Sequence, residues 1–451
     1  MDRTRHIEWQ LARFASGRDH AAMVWRDETV TYGELRERVD AWVARLNASE
    51  IQTGDCVGVI GDFSPESVAC LLALVAQRCI VVPLAWESQD QHEQFFAIAE
   101  LDHLVHFDRS DAATVVARNG RRNHPLLEQV RARRGPGLIL FSSGSTGAPK
   151  AILHEFEPLL AKFRQPRRAY RTVNFLLFDH IGGVNTLFYT LANLGCTVVP
   201  ADRTVARVCE AVARHGVELL PTSPSFLNLM LLERAHEHYD LSSLSLITYG
   251  TEVMPERTLA MANEAFPGAR FQQTYGLSEL GILRSKSRDN RSLLVKVGGE
   301  DFETRVRNGT LWIRAQSSMV GYLNAPSPFD DEGWFDTGDA VVQEGDYYRI
   351  LGRESDIVNV GGQKVYPAEV EKVVAELPGV IDVAIRGEEH MILGNVVVAV
   401  VQMRDPIPAS EMKRRIVAHA KGRLQPFMVP AKVKVVTESP VTYRFKKVRR
   451  A

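Results

Sequence analysis

The sequence lacks an excess of charge of either sign, and it lacks long apolar runs. Its 451 residues include 54 lysines and arginines against 55 aspartates and glutamates, which gives a formal net charge of −1. That balance argues against a broad basic surface for nucleic acid. The longest apolar run, residues 68–76, is far shorter than the roughly 20 residues that span a bilayer. We therefore expect neither nucleic-acid binding nor membrane insertion.

Cysteine is also scarce. The five cysteines are odd in number and contain no C-x-x-C pair, a pattern typical of reduced thiols rather than of a disulfide framework. The first six residues, M-D-R-T-R-H, are charged, and no apolar segment of the signal-peptide kind follows them. Both observations predict a cytoplasmic protein.

What the sequence does contain is an alternation of short apolar segments with helix-like segments. Residues 56–60, 80–84 and 137–141 are typical of buried strands, and residues 64–76 are typical of a helix. Strands that alternate with helices in this way predict βαβ units and a mostly parallel sheet. A further strand is predicted over residues 173–178.

The pattern changes twice toward the C-terminus. Residues 295–313 predict short strands and turns, as in a small β-rich subdomain. After residue 353 a fresh set of helices and strands predicts a compact α+β module. We therefore predict an α/β protein, with a large body of parallel-rich α/β subdomains and a β-rich subdomain over residues 1–353, and a small C-terminal α+β domain over residues 354–451.

The sharpest motif directly follows the apolar strand at 137–141. Its two glycines let the backbone turn tightly and present N–H groups to anionic oxygens, while four hydroxyls and a lysine add donors and positive charge. The spacing differs from that of the G-x-x-x-x-G-K-[ST] loop, and no Ser or Thr follows the lysine. We predict a phosphate-binding loop made of Ser142, Ser143, Gly144, Ser145, Thr146, Gly147, Ala148, Pro149 and Lys150.

Four further motifs follow this loop in order. They are T-Y-G-L-S-E at 274–279, W-F-D-T-G-D at 334–339, G-R at 352–353 leading into G-G-Q-K-V-Y-P-A-E-V-E at 361–371, and P-V-T-Y-R-F-K at 440–446. Together with the loop they resemble the signature of the acyl-adenylate-forming superfamily, which contains acyl-CoA synthetases, peptide-synthetase adenylation domains and firefly-type luciferases. The resemblance covers nearly the whole chain.

The resemblance implies a role for each residue of these motifs. Glu279 would bind Mg²⁺, a hard cation that prefers oxygen ligands and bridges phosphates. Tyr275 would stack on adenine, and Gly276 and Ser278 belong to the same motif. Asp339 would accept hydrogen bonds from the ribose hydroxyls, which a carboxylate does well.

Two more elements would complete the nucleotide site. Arg353 would reach the same ribose or the phosphates. Gly250, Thr251 and Glu252 follow an apolar strand, at the place where the superfamily has an adenine-contacting loop. The resemblance therefore implies ATP as a substrate, together with Mg²⁺.

The tail motif departs from the superfamily pattern. Lys446 would be the mobile catalytic lysine, whose ammonium offsets the charge that develops during adenylation. Phe445 stands where the superfamily has glycine, and Lys447 is adjacent. The register favours Lys446, and Lys447 stays open as the alternative.

The start of the small domain carries two further implied sites. Ser355 would be the hinge, at a position where the superfamily has Asp or Lys, because a small polar residue can absorb a change in backbone angles. Gly361 and Gly362 resemble the glycine pair that lines the thiol tunnel of CoA ligases once the mobile small domain has rotated.

The segment F-D-H-I-G-G-V at 178–184 resembles the acid-pocket motif, in one of two registers. In the register of acyl-CoA synthetases, His180 is a gate to the carboxylate, and the glycine pair that follows favours this alignment. In the register of amino-acid adenylation domains, Asp179 would pair with a substrate ammonium. Gly183 and Gly281 are also assigned to the predicted pocket.

These motifs predict an enzyme that joins a small carboxylic acid to a thiol. ATP and the acid would give acyl-AMP and pyrophosphate, and the thiol would then give a thioester and AMP. The thiol would belong to CoA or to the phosphopantetheine of a free-standing carrier protein, because no carrier domain follows the tail motif. Two alternatives stay open: a stand-alone amino-acid-adenylating enzyme that loads a carrier in trans, and an inactive nucleotide-binding homologue.

Overall fold

The computed structural model describes residues 7–118, 120, 123–142, 149–299, 301–391 and 393–437. Within these residues the chain forms 27 strands and 13 α-helices. In chain order the strands are β1 (Ala21–Trp25), β2 (Glu28–Thr31), β3 (Cys56–Gly61), β4 (Ile80–Ala85), β5 (His103–Phe107), β6 (Ala113–Ala117), β7 (Gly137–Ser142), β8 (Lys150–Glu155), β9 (Arg171–Val173), β10 (Cys196–Val199), β11 (Leu219–Thr222), β12 (Leu246–Tyr249), β13 (Arg270–Gln273), β14 (Tyr275–Leu277), β15 (Gly281–Leu283), β16 (Ser285–Ser287), β17 (Leu294–Val297), β18 (Phe302–Arg307), β19 (Thr310–Ala315), β20 (Gly321–Tyr322), β21 (Phe335–Glu344), β22 (Tyr347–Arg353), β23 (Val358–Val360), β24 (Gln363–Val365), β25 (Val380–His390), β26 (Gly394–Met403) and β27 (Lys432–Val436).

The helices begin where the sequence supplies capping residues. Ser64 accepts a hydrogen bond from the backbone N–H of Ser67, and Pro65 occupies the first helical position, which together start a helix whose interior is apolar and buried. In chain order the helices are α1 (Glu8–Phe14), α2 (Tyr32–Ala48), α3 (Pro65–Ala76), α4 (His92–Ala99), α5 (Pro125–Arg133), α6 (Phe156–Ala161), α7 (Ile181–Ala192), α8 (Val205–His215), α9 (Pro224–Leu232), α10 (Ala235–His238), α11 (Glu256–Ala265), α12 (Pro367–Val374) and α13 (Ala409–Ala420).

Two sheets form the large body, each seven-stranded over the described residues. The first has the order β13-β12-β11-β9-β10-β1-β2, and its neighbours are parallel except for β1 with β2. The second has the order β20-β8-β7-β4-β3-β5-β6, with β7, β4, β3 and β5 parallel and antiparallel strands at both edges. The predicted α/β body with mostly parallel pairing is confirmed.

A third sheet follows, antiparallel throughout the part of the chain that is described, with the order β16-β17-β22-β21-β19-β18. It contains the region that the sequence predicted to be β-rich. A two-stranded hairpin, β14 with β15, lies just before it in the chain. This hairpin brings the motif at 274–279 next to the third sheet, because the side chain of Tyr275 packs into the apolar core of that sheet.

The small C-terminal domain is an α+β unit, as predicted. Strands β24, β23, β26 and β25 pair in that order, and β27 lies parallel to β26. Helices α12 and α13 share its apolar core. Lys372 of α12 forms an ion pair of 2.6 Å with Glu256 of α11 in the large body. The boundary at residue 353 stays a prediction.

The predicted strand over residues 173–178 is wrong beyond its first residue. Strand β9 ends at Val173, and only the N–H of Asn174 still pairs with a neighbouring strand, at 2.9 Å from the carbonyl of Val198. Beyond it the Phe175 ring packs on Phe226, with the centroids 4.5 Å apart. The chain leaves the sheet here because these apolar side chains are used to line a cavity rather than to extend the strand.

All five cysteines are buried and outside any disulfide, as the sequence predicted. Burial raises the pKa of Cys196 to about 11, so its thiol stays protonated at neutral pH. In the described part of the chain we find no helix that is both long and apolar enough to cross a bilayer.

Candidate functional site

The predicted phosphate loop joins two antiparallel strands. Ser142 at the end of β7 is paired with Lys150 at the start of β8. Asn324 fixes the far side of the loop, since its amide donates to the carbonyl of Pro149 at 2.8 Å and accepts from the N–H of Ala151 at 2.9 Å. The remaining predicted loop residues lie outside the described part of the chain: Ser143, Gly144, Ser145, Thr146, Gly147 and Ala148.

Lys150 and Glu279 are connected through one tyrosine. The ammonium of Lys150 lies over the ring of Tyr322, 4.9 Å from its centroid, which is a cation–π distance. The hydroxyl of Tyr322 donates to Oε1 of Glu279 at 2.8 Å. Lys150, at the end of the predicted phosphate loop, therefore lies over the face of the Tyr322 ring, and Glu279, the predicted metal ligand, lies at the hydroxyl of the same ring.

Glu279 sits in the turn of the β14–β15 hairpin, which two contacts hold in place. Its backbone carbonyl accepts from the N–H of Met319 at 2.8 Å, and the carbonyl of Ser278 lies 2.6 Å from Nε2 of His154. Burial lowers the pKa of His154 to about 4, so the imidazole is neutral and supports the turn without adding charge. A carboxylate held in this way fits Mg²⁺, which takes one or two protein oxygens together with substrate phosphates.

A second cluster joins three of the predicted residues directly. The hydroxyl of Tyr275 donates to Oδ2 of Asp339 at 2.5 Å, and Nε of Arg353 lies 2.7 Å from Oδ1 of the same carboxylate. Arg353 also donates to the carbonyl of Thr337 at 3.1 Å. Strand pairing places Asp339 opposite Arg353 on β21 and β22. The three side chains therefore lie together because the hairpin and the third sheet meet here.

Charge in this cluster is nearly balanced. Burial raises the pKa of Asp339, and the neighbouring Arg353 and the hydroxyl of Tyr275 counteract part of that rise. Burial also raises the pKa of Tyr275, as does the Asp339 carboxylate beside it. The phenol consequently stays a hydrogen-bond donor, which fixes the orientation of the carboxylate at neutral pH.

The segment at 250–252 follows β12 and lies against the end of β13. A Cβ on Gly250 would meet the hydroxyl of Thr274 at 2.5 Å, so only glycine permits this approach. Thr251 has a φ of +71°, a left-handed conformation that non-glycine residues rarely adopt and that clusters at functional sites. Glu252 accepts a hydrogen bond of 2.5 Å from Ser225 at the start of α9.

A cavity of about 560 Å³ opens beside this segment, within the size range of small-molecule sites. It lies between helix α7 and one face of strands β11, β12 and β13, and Gly250, Thr251 and Thr274 are at one end of it. His180 lines it and also caps α7, where its Nδ1 accepts from the N–H of Gly182 at 3.1 Å. Its predicted role, a gate to the carboxylate, stays a prediction.

The other predicted pocket residues lie beside the cavity rather than in its wall. Asp179 is buried but does not line it. A Cβ on Gly183 would meet the carbonyl of Leu177 at 2.2 Å, and one on Gly281 would meet Leu159 at 2.7 Å. These two glycines are needed for close packing behind the wall. The side chains that do line the cavity belong to their neighbours in the sequence, such as Ile282.

Other predicted residues are placed as follows. A Cβ on Gly276 would meet the carbonyl of Gly281 at 2.7 Å, so this glycine lets the two hairpin strands approach.

Ser355 is exposed in a short 3-10 turn after β22. Gly361 and Gly362 form the turn between β23 and β24, with φ of +55° and +84°. The candidate catalytic lysines, Lys446 and Lys447, lie outside the described residues.

The sequence motifs miss several residues of the site. Tyr322, His154 and Asn324 all hold predicted residues in place, yet each lies outside the motifs. Lys162 lines the cavity and follows helix α6, in a segment without a recognisable pattern. A tyrosine or histidine in an apolar segment carries no signal of its own, so only the tertiary contacts reveal these roles.

Family models match most of the chain, on either side of residues 324–368. The family described as AMP-binding enzyme matches residues 9–323, and the one described as AMP-binding enzyme C-terminal domain matches residues 369–446. An indoleacetate–CoA ligase of Aromatoleum aromaticum is 26% identical, over 93% of this chain and 92% of that protein. A medium/long-chain-fatty-acid–[acyl-carrier-protein] ligase of Mycobacterium tuberculosis is also 26% identical, over 93% and 89%. The solved structure of an anthranilate CoA ligase in complex with anthranoyl-AMP has a TM-score of 0.81 at 20% identity, over 98% of this chain and 95% of that one.

Proposed function

The chain belongs to the AMP-binding enzymes and is an AMP-forming acid–thiol ligase. We propose that the Tyr275–Asp339–Arg353 cluster binds its nucleotide and that the cavity lined by His180 binds its acid. The observation that carries this proposal is their adjacency. The segment at 250–252 borders the cavity at one end. Thr274, whose N–H donates at 2.8 Å to the carbonyl of Tyr249 just before that segment, directly precedes Tyr275. An acid in the cavity would therefore meet the nucleotide at this end.

In the first step, an oxygen of the substrate carboxylate attacks the α-phosphorus of ATP, and pyrophosphate leaves. Both reactants are anions, so the site must lower their repulsion and hold them in line. Lys150, the last residue of the predicted phosphate loop and the first of β8, would supply positive charge to the phosphates. Glu279 would hold Mg²⁺, which when bound neutralises charge on the phosphates.

In the second step, a thiolate attacks the acyl carbonyl, and AMP leaves with the bonding electron pair. We infer that the small domain turns about Ser355 between the steps, which would carry Lys446 away and bring Gly361 and Gly362 to the thiol path. The acceptor thiol belongs to CoA or to a carrier-protein phosphopantetheine, because the relatives named above include one ligase of each kind. A free-standing carrier and a cytoplasmic location belong to the proposal.

The register of the acid pocket follows from the cavity. His180 contributes to its wall and Asp179 does not, which favours a carboxylic acid without an ammonium group. This supports the acyl-CoA synthetase register over the amino-acid register.

Acid-dependent ATP–pyrophosphate exchange tests the first step. We expect exchange with a carboxylic acid, loss of it in Lys446→Ala, and near-normal exchange in the matched control Lys447→Ala. The reverse result for the two lysines would move the catalytic role to Lys447. Exchange with amino acids alone, lost in Asp179→Ala, would overturn the proposed register.

A further inference from the structure

The cavity wall has an uneven distribution of charge. Among the described residues that line it, none is an aspartate or a glutamate, and the cationic ones are Lys162, Arg167, Arg168, Arg270 and Arg284. Arg168 is paired with Glu218 at 2.9 Å, outside the cavity. Like charges inside one cavity repel each other, so a bound anion would lower the repulsion among these side chains.

Lys162 is the member set deepest in the wall. Its ammonium donates to two neutral oxygens, Oδ1 of Asn185 at 2.6 Å and the carbonyl of Ile282 at 2.5 Å. Burial, and after it Arg167 and Arg284, lowers the pKa of Lys162 to about 7. The pKa of Lys162 is therefore close to neutral pH although its ammonium is hydrogen-bonded, because burial, and after it the two neighbouring arginines, disfavours the charged form.

Arg284 adds a second, independent observation. It follows β15, and its ion-pair partner among the described residues is Asp301, at 4.0 Å, the limit for an ion pair. Its Nε–H is buried and has no hydrogen-bond partner among the described residues. A buried guanidinium N–H without a partner is costly, and this one belongs to a side chain that lines the cavity.

Lys162 and His180 lie at different levels along helix α7. Helix α7 runs along the cavity, with His180, Asn185 and Tyr189 all lining it. At about 1.5 Å of rise per residue, Asn185 lies about 8 Å along the helix axis from His180. Lys162 is bonded to Asn185, so it marks that depth. The cavity wall also includes the apolar side chains of Phe175, Leu177 and Pro221.

We propose that the acid substrate carries a second anionic group at the end opposite the carboxylate that is adenylated, and that Lys162 and Arg284 bind it, with Arg167 flanking them. The substrate class is thus an acid with an apolar body and a distal anion, a dicarboxylic acid in the first instance. This inference rests on the proposed function, because it takes the His180 end of the cavity as the place where adenylation occurs.

The unmodified enzyme supplies the first test, by ATP–pyrophosphate exchange over matched acids. Each dicarboxylic acid from adipic to sebacic, and terephthalic acid as an aromatic case, is compared with its monomethyl ester, which has the same length but no distal charge. We expect kcat/KM to be at least about tenfold higher for the diacid at the best length, since close charge pairs in a partly desolvated site have a large effect. The ω-phosphono acids of equal length show whether phosphonate replaces carboxylate.

Three outcomes are decisive. A clear preference for the diacid, or for the phosphono acid, supports the inference and names the anion. Equal or better use of the monoesters and of plain monocarboxylic acids overturns the inference while the proposed function stands. The absence of exchange with every acid would overturn both.

Variants test the named residues. In Lys162→Gln and Arg284→Gln we expect the ratio of diacid to monoester kcat/KM to fall by about tenfold through the KM of the diacid, and Lys162→Arg should restore much of it. Arg164→Gln is the matched control, since this exposed arginine of the same segment is paired with Glu157 and does not line the cavity. An unchanged ratio in both cavity variants would remove these residues from the anion site.

Discussion

The nucleotide cluster and the acid cavity handle charge in opposite ways. In the nucleotide cluster the buried carboxylate of Asp339 has both an arginine and a phenol within hydrogen-bond distance. In the described wall of the acid cavity there are five cationic side chains and no carboxylate. The part of the site that we propose for ATP is therefore pre-organised by internal pairs, whereas the part that we propose for the acid gains most from a ligand that supplies negative charge.

The largest effect is expected when the internal pairing is broken. Asp339→Ala would leave Arg353 and Tyr275 without their shared partner, which we expect to lower pyrophosphate exchange about a hundredfold through misplacement of the nucleotide and stability by about 1–3 kcal/mol. Exchange kinetics and urea unfolding measure both effects. Asp346→Ala in the same sheet, which removes an exposed pair with Lys296, is the control and should change neither much. Full activity in Asp339→Ala would show that the paired cluster is not needed for the nucleotide.

A substitution behind the cavity wall should act through side-chain packing rather than through charge. In Gly183→Ala the new methyl group would meet the carbonyl of Leu177 at 2.2 Å, so α7 must shift, at a cost of about 1–3 kcal/mol. Chemical unfolding gives this value, and KM for the acid should rise more than KM for ATP. Gly268→Ala has open space around it and serves as the comparison. Equal rises in both KM values would contradict a wall specific to the acid.

The third prediction concerns pH. Lys162 has a lowered pKa of about 7, so it is charged below that pH and neutral above it. The groups that face it are Arg167, Arg284 and the neutral oxygens of Asn185 and Ile282, and His180 also lines the cavity. We expect the KM of a diacid to rise by up to about tenfold per pH unit above pH 7. Lys162→Arg should flatten this rise, since arginine stays charged, and a rise of the same size in that variant would show that Lys162 is not its source.

The smallest effect is expected from removal of the uncharged hydroxyl of Tyr322. Tyr322→Phe keeps the ring under Lys150 but removes the hydroxyl that donates to Glu279. One lost hydrogen bond corresponds to about threefold to tenfold, which should show as a higher Mg²⁺ concentration for half-maximal exchange. Tyr347→Phe, at the far end of β22, is a suitable control. An unchanged Mg²⁺ titration would mean that Tyr322 does not orient the carboxylate.

The comparison also explains how much could be predicted from the sequence. The residues of the paired cluster, Tyr275, Asp339 and Arg353, stand in short motifs, because nucleotide handling requires fixed residues at fixed spacing. Lys162 and Arg284 stand in segments without a motif and come together only when α6, α7 and β15 pack.

The fold, too, could be predicted only in part from the sequence. The βαβ alternation predicted the parallel sheets, and the change to short strands and turns predicted the β-rich region, since periodicity depends on local burial. Of the strand predicted over 173–178 only Val173 lies in a strand, because an apolar run looks the same whether its side chains face a sheet neighbour or a cavity. Asp179 and Gly183 were assigned to the pocket because their segment resembles a family motif, but the direction of a side chain depends on the tertiary fold.

The burial of all five cysteines has a practical consequence for thiol chemistry. A thiol reagent reacts with the exposed thiolate, and in the native fold these sulfhydryls are inside the protein. Consumption of an added acyl-acceptor thiol can therefore be followed colorimetrically in the presence of the enzyme with little contribution from the protein. Conversely, the slow appearance of protein sulfhydryls in the absence of acceptor reports the rate at which the fold opens.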